Sequence, residues 1–121
     1  MFNWKIEMNS KPQALNSESV AILGMPFDSY SSHLLGAADA PALIREMMLC
    51  ESANTSSELG IKLANHSRIV DLGDLSWSSN KEAFDTLEKT ISSIVAIGAK
   101  SLTFGGDHSI TYPTFKGLRQ R

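Results

Sequence analysis

At 121 residues and 42% hydrophobic content, the chain is long enough to bury one globular core. Eleven Lys and Arg against thirteen Asp and Glu leave a net charge of −2, so nothing draws the chain towards nucleic acid or anionic lipid. The single cysteine, Cys50, excludes a disulfide within the chain and fits a cytoplasmic setting. No apolar run reaches membrane-spanning length, and the opening Met-Phe-Asn-Trp-Lys-Ile-Glu lacks the charged-then-apolar layout of a signal peptide.

Residues 1–19 are mixed and polar and read as an arm on the body formed by residues 20–121. Val20-Ala21-Ile22-Leu23, bounded by Gly24 and Pro26, predicts a buried strand. After a serine-rich loop, Asp39-Ala40-Pro41 marks a helix start. Leu43, Ile44, Met47 and Met48 then form one apolar stripe, with methionines expected as core filler and Cys50 as a packing residue. Residues 51–60 are polar and loop-like. Residues 68–74 predict a second strand. Ser79 with Glu82 forms a capping box for a helix whose apolar face is Phe84, Leu87, Ile91, Ile94 and Val95, closed by Gly98. Residues 101–104 predict a third strand, and Thr111 with Pro113 opens a last helix, where Lys116, Arg119 and Arg121 suit the negative end of the dipole. Strands alternating with helices define an α/β fold with a mainly parallel sheet.

Each strand ends in glycine with an aspartate close behind: Gly24 with Asp28, Gly73 with Asp74, Gly106 with Asp107. Ligands of open parallel sheets bind beyond the carboxyl ends of the strands, so these loops are expected to share one acidic crevice. Taken singly, each aspartate fits a cap or a turn equally well. Oxygen ligands with an imidazole favour a divalent metal such as manganese over a soft-metal site. His108 follows the third strand and is either a ligand or a hydrogen-bonded structural residue. His33 and His66 lie in polar loops and read as structural. Ser109 has no Gly-x-Ser-x-Gly elbow around it, so capping is its expected role. No phosphate loop and no Gly-x-Gly-x-x-Gly turn is present, which disfavours a nucleotide-binding module.

Gly105-Gly106-Asp107-His108-Ser109 resembles the first signature of the ureohydrolases, the family of arginase, agmatinase and formimidoylglutamase. Leu23 to Asp28, the segment from Gly36 to Arg45, and Asp71-Leu72-Gly73-Asp74 resemble further motifs of that family in its order, from about Val20 to about Leu118. Ala40 stands where many members carry glycine. The resemblance implies a three-layer α/β/α fold and a pair of manganese ions. Such ions lower the pKa of a bound water and orient it for attack on a guanidinium carbon, releasing urea. It assigns His108 as a metal ligand and sets Asp107 beside it to fix the ligand's orientation.

The second signature, Asp-Ala-His-x-Asp, and the later Asp-x-Asp segment are absent. The chain is therefore read as the N-terminal portion of a single ureohydrolase domain, ending after its first metal motif, and inactive alone. The run from Phe104 to Pro113 is most similar to agmatinase versions of the motif. That favours hydrolysis of agmatine to putrescine and urea, with arginase or another ureohydrolase next. A non-catalytic remnant acting only by association with a full-length subunit is the alternative of a different kind. The expected partners are a small guanidino substrate and, in a full-length protein, further copies of itself in a homo-oligomer; neither nucleic acid nor membrane is expected.

Overall fold

The computed structural model describes residues 14–119. Three parallel strands, β1 (Val20–Met25), β2 (Ile69–Asp74) and β3 (Lys100–Gly105), form a sheet in the order β2-β1-β3. Helix α1 (Ala40–Leu49) joins β1 to β2, α2 (Asn80–Ala96) joins β2 to β3, and α3 (Thr111–Leu118) follows β3. The chain steps from β1 to β2 and then back across β1 to β3. Right-handed crossovers in opposite directions place the connecting helices on opposite faces. The contacts agree with that. A Cβ on Gly24 would meet Pro41 of α1, whereas the alternate residues Ala21, Leu23 and Met25 join a core with Ala83, Leu87, Ile91 and Ile94 of α2. The result is the three-layer α/β/α arrangement, with helix on both faces of a parallel sheet.

Local sequence explains most element ends. The Ser79 hydroxyl accepts from the Glu82 N–H at 3.3 Å, and the Glu82 carboxylate reaches back to the Ser78 N–H at 2.8 Å. Gly98, at φ 86°, lets α2 stop within one turn. Asp39 starts α1 as expected but makes no capping bond. That function passes to Asp28, whose carboxylate accepts the Gly36 and Ala38 N–H groups at 2.7 and 3.3 Å and so closes the loop between β1 and α1.

The expected arm falls mostly on residues 1–13, outside the described residues. Its last part is fixed to the body: Leu15 packs on the core, and the Ser19 carbonyl accepts from the Lys100 N–H at 3.0 Å. The α1 stripe departs further from expectation, because Leu43, Ile44, Met47 and Met48 are all exposed. Cys50 is half-buried, and its sulfur lies 3.3 Å from the Ser52 hydroxyl, a contact that draws the thiol pKa down. Lys116 pairs with Glu88 at 2.7 Å. Among the described residues, no helix is long and apolar enough to cross a membrane.

Candidate functional site

The loops that leave β1 and β3 at their carboxyl ends are joined to each other. The Asp107 N–H donates to the Phe27 carbonyl at 2.7 Å, and the Asp107 carboxylate accepts the Tyr30 N–H at 3.0 Å. Gly106 makes this approach possible, since a Cβ there would sit 1.8 Å from the Phe27 oxygen. Beneath the seam, Phe27 is buried and packs edge-on or tilted against Tyr30, Trp77 and Phe84 with ring centroids 5.2–5.9 Å apart. The other Asp107 oxygen accepts the Ser109 N–H at 2.9 Å and the Ser109 hydroxyl, which starts the 3-10 turn His108–Ile110. Asp107 therefore adjoins His108 in the chain, while its oxygens are engaged by Tyr30 and Ser109 rather than by the imidazole. Ser109 has the capping role expected of it.

His108 is exposed at the head of this turn, with Thr111 Oγ1 3.5 Å from its Nδ1. It lines a groove of about 290 Å³ together with Tyr30, Ser31, Ser32, His33, Leu34, Ala37, Asp107 and Ser109. His33, read from sequence as structural, is thus brought to the same groove as His108. Only the Asp107 contacts across the seam, which span 77 positions to Tyr30 and 80 to Phe27, reveal this. His66 keeps its structural reading: its Nδ1 accepts the Arg68 N–H at 3.3 Å.

The shared acidic crevice does not form. Asp28 serves the β1 loop, and Asp74 turns to Arg45 on α1. The Arg45 guanidinium grips Asp71 with two bonds of 2.8 and 2.9 Å, contacts Asp74, and lies 5.7 Å from the centre of the Phe104 ring. Burial pushes the Asp71 carboxyl up, but the Arg45 bonds and the Gly73 N–H outweigh it and hold its pKa below the ordinary range. The Asp71 hydrogen bond is the largest influence on Arg45, and with Asp74 it raises the guanidinium pKa against desolvation. Asp74 and Asp107 are held by partners distant in sequence and Asp28 by the nearer Gly36 and Ala38, so the recurring strand-end pattern marks anchoring points of the loops.

A sequence model of the arginase family matches residues 18–121. The chain belongs to the arginase family. Arginase 2 of Arabidopsis thaliana is 33% identical over 111 residues, covering 85% of this chain and 32% of that protein. The agmatinase of Photorhabdus laumondii is 32% identical over 119 residues, covering 93% and 37%. Among solved structures, the arginase from Medicago truncatula superposes with a TM-score of 0.72 at 28% identity, over 83% of this chain and 34% of that one. A formiminoglutamase of Trypanosoma cruzi, solved with Mn2+, gives 0.71 at 26% identity over 88% and 37%. This arginase-family chain thus spans about a third of the length of the relatives it matches.

A manganese pair needs several oxygen and imidazole donors. Among the described residues, no group of three or more His, Cys, Asp or Glu side chains is placed to hold a metal ion. His108, expected from the resemblance as a metal ligand, is not grouped with further such side chains there.

Proposed function

We propose that this chain supplies one wall of the active site of a manganese-dependent hydrolase of linear guanidino or amidino carbon–nitrogen bonds, with His108 as one metal ligand. The observation that carries the reading is the placement of the Gly105–Ser109 signature. It lies at the carboxyl end of β3, beside the β1 loop, where an open parallel sheet binds its ligands. Bound manganese would supply a water of lowered pKa for attack on the guanidinium carbon, and urea would leave. Agmatine is favoured by the wording of the Phe104–Pro113 motif alone, and arginase relatives are just as similar, so the reading is stated at the level of the class. The same reading includes a cytoplasmic setting and homo-oligomeric assembly of the complete domain.

The chain alone presents one of the required ligands and is expected to release no urea. Joined to the remaining segment of a relative such as the Photorhabdus laumondii agmatinase, it is expected to do so. The test is urea release from arginine and agmatine with added manganese. Failure of the joined polypeptide to give chelator-sensitive urea from either substrate contradicts the reading.

A further inference from the structure

The two edges of the sheet are built differently. At the β2 edge Asp71 and Asp74 are charged, Gly73 takes φ 76°, and the Gly73 N–H is already held by the Asp71 carboxylate at 2.9 Å. The pairing of β2 with β1 is also irregular between Ile22 and Gly24. Charge, a local irregularity and an occupied donor all keep an edge strand from pairing with another chain. Strand β3 has none of these over residues 101–105. Its one charge is Lys100 at the first position, and it follows β1 in unbroken register along all six residues.

The register shows what the β3 edge offers. The Lys100 N–H donates to the Ser19 carbonyl at 3.0 Å and so points towards β1. Backbone groups alternate sides along a strand, so those of Ser101, Thr103 and Gly105 point away from β1. Among the described residues no strand lies on that side. Leu102 and Phe104 pair with Ile22 and Gly24, which sets both on the face that carries α1, and Leu102 is 47% exposed there.

We propose that the β3 edge of this chain pairs with the β3 edge of a second copy, antiparallel about Thr103, to give a continuous six-stranded sheet. A two-fold axis sets the same patch against itself, and this patch is complementary to itself. About that axis the two Thr103 residues exchange both backbone bonds, and Ser101 faces Gly105 of the second copy. Leu102 lies opposite Phe104 of the second copy, twice by symmetry, in the closer, non-hydrogen-bonded kind of pair. The two Lys100 residues fall at opposite ends, so the strand's one charge never meets itself. The blunted β2 edges stay outside and close the assembly at two copies. The pairing concerns the chain as it stands and is independent of the hydrolase reading.

The mass of the chain in solution is measured by sedimentation across a range of concentration. The unaltered chain is compared with Leu102→Lys, which puts a charge into the pair, and with Leu72→Lys, which does the same on the β2 edge. The unaltered chain is expected at twice its chain mass. Leu102→Lys is expected to weaken the dimer about tenfold or more, and Leu72→Lys to leave it unchanged. A second measurement needs no loss of assembly. In a Cys50→Ser background, Thr103→Cys is expected to give a covalent dimer on mild oxidation, because a hydrogen-bonded antiparallel pair sets its Cα atoms about 5.5 Å apart, within disulfide reach. Leu72→Cys in the same background is expected to give none. A monomer at every concentration, an open-ended series of larger species, equal weakening by Leu72→Lys, or no cross-link from Thr103→Cys overturns the proposal.

Discussion

On one face of the sheet, Leu87 and Ile91 of α2 are 0% exposed; on the other, Leu43 and Met47 of α1 are 56% and 64% exposed. Both helices carry an apolar stripe of helical period. The difference is what lies against each. The α2 stripe meets Ala21, Leu23 and Met25 of β1 and is further covered by α3, whose Gly117 lies so close that a Cβ would sit 2.7 Å from the Glu88 carbonyl and from Ile91. Helix α1 faces Ile22, Asp71 and Phe104, and its main tie is polar, through Arg45. Amphipathic period therefore specifies a helix, while the amount of surface it buries depends on the neighbour that the fold provides.

The largest loss of stability is expected on the packed face. Leu87→Ala removes a fully buried side chain from a core closed on all sides and is expected to cost about 2–5 kcal/mol. A denaturant melt reads it. A loss below about 1 kcal/mol would show that the α2 face repacks freely and that the two faces are less different than their exposures indicate.

The tie between α1 and the sheet comes next. Arg45→Met removes the two bonds to Asp71, the contact with Asp74 and the guanidinium over Phe104, leaving both carboxylates without their cation. These groups are partly exposed, so after allowance for solvent screening the expected loss is about 1–2 kcal/mol. The same cluster sets an acid limb. The folded pKa of Asp71 lies below its ordinary value of 3.8, so its contribution is fully present above about pH 5 and is lost as pH falls through that value towards the depressed one. Melts between pH 6 and pH 3 are expected to show this decline in the unaltered chain and a shallower one in Arg45→Met. Equal slopes would separate Asp71 from α1.

Several of these features are legible from residues alone, and the limits are informative. Leu87, Ile91, Ile94 and Val95 are recognisable as core by their spacing, yet Ala83, equally buried, carries too little apolar surface to announce itself. The capping box at Ser79 and Glu82 is a local pattern and appears in the structure with its Ser79 bond, while the Glu82 carboxylate takes the Ser78 N–H in place of that of Ser79. The strand-end aspartates are a different case. Their positions follow from sequence, but the partners lie 29 positions away for Arg45 and Asp74, and 77 for Tyr30 and Asp107. No local rule links such pairs. His33 is invisible for the same reason, since only folding the β1 loop onto the His108 turn brings it to the groove.

The smallest effect is expected on the open face. Leu43→Gln and Met47→Gln replace side chains that keep more than half their surface in water, so each should change stability by no more than about 0.5 kcal/mol. Hydrophobic-dye fluorescence should nevertheless fall, because these residues form much of the exposed apolar surface along α1. A loss comparable to that of Leu87→Ala would mean that α1 is packed far more tightly than its exposure shows.

The hydrolase reading requires His108 to be a ligand rather than a structural histidine. It is tested directly in the polypeptide that joins this segment to the remaining part of a relative, comparing the unaltered protein with His108→Ala. Manganese per subunit is measured by mass spectrometry, with urea release and the thermal midpoint followed in parallel. Because His108 is exposed and its one side-chain hydrogen-bond contact among the described residues is the long one to Thr111, the midpoint should hardly move. One of two manganese positions should empty, and turnover should fall by about a hundredfold or more. Full manganese content with a clearly lowered midpoint would contradict the assignment and make His108 a structural residue.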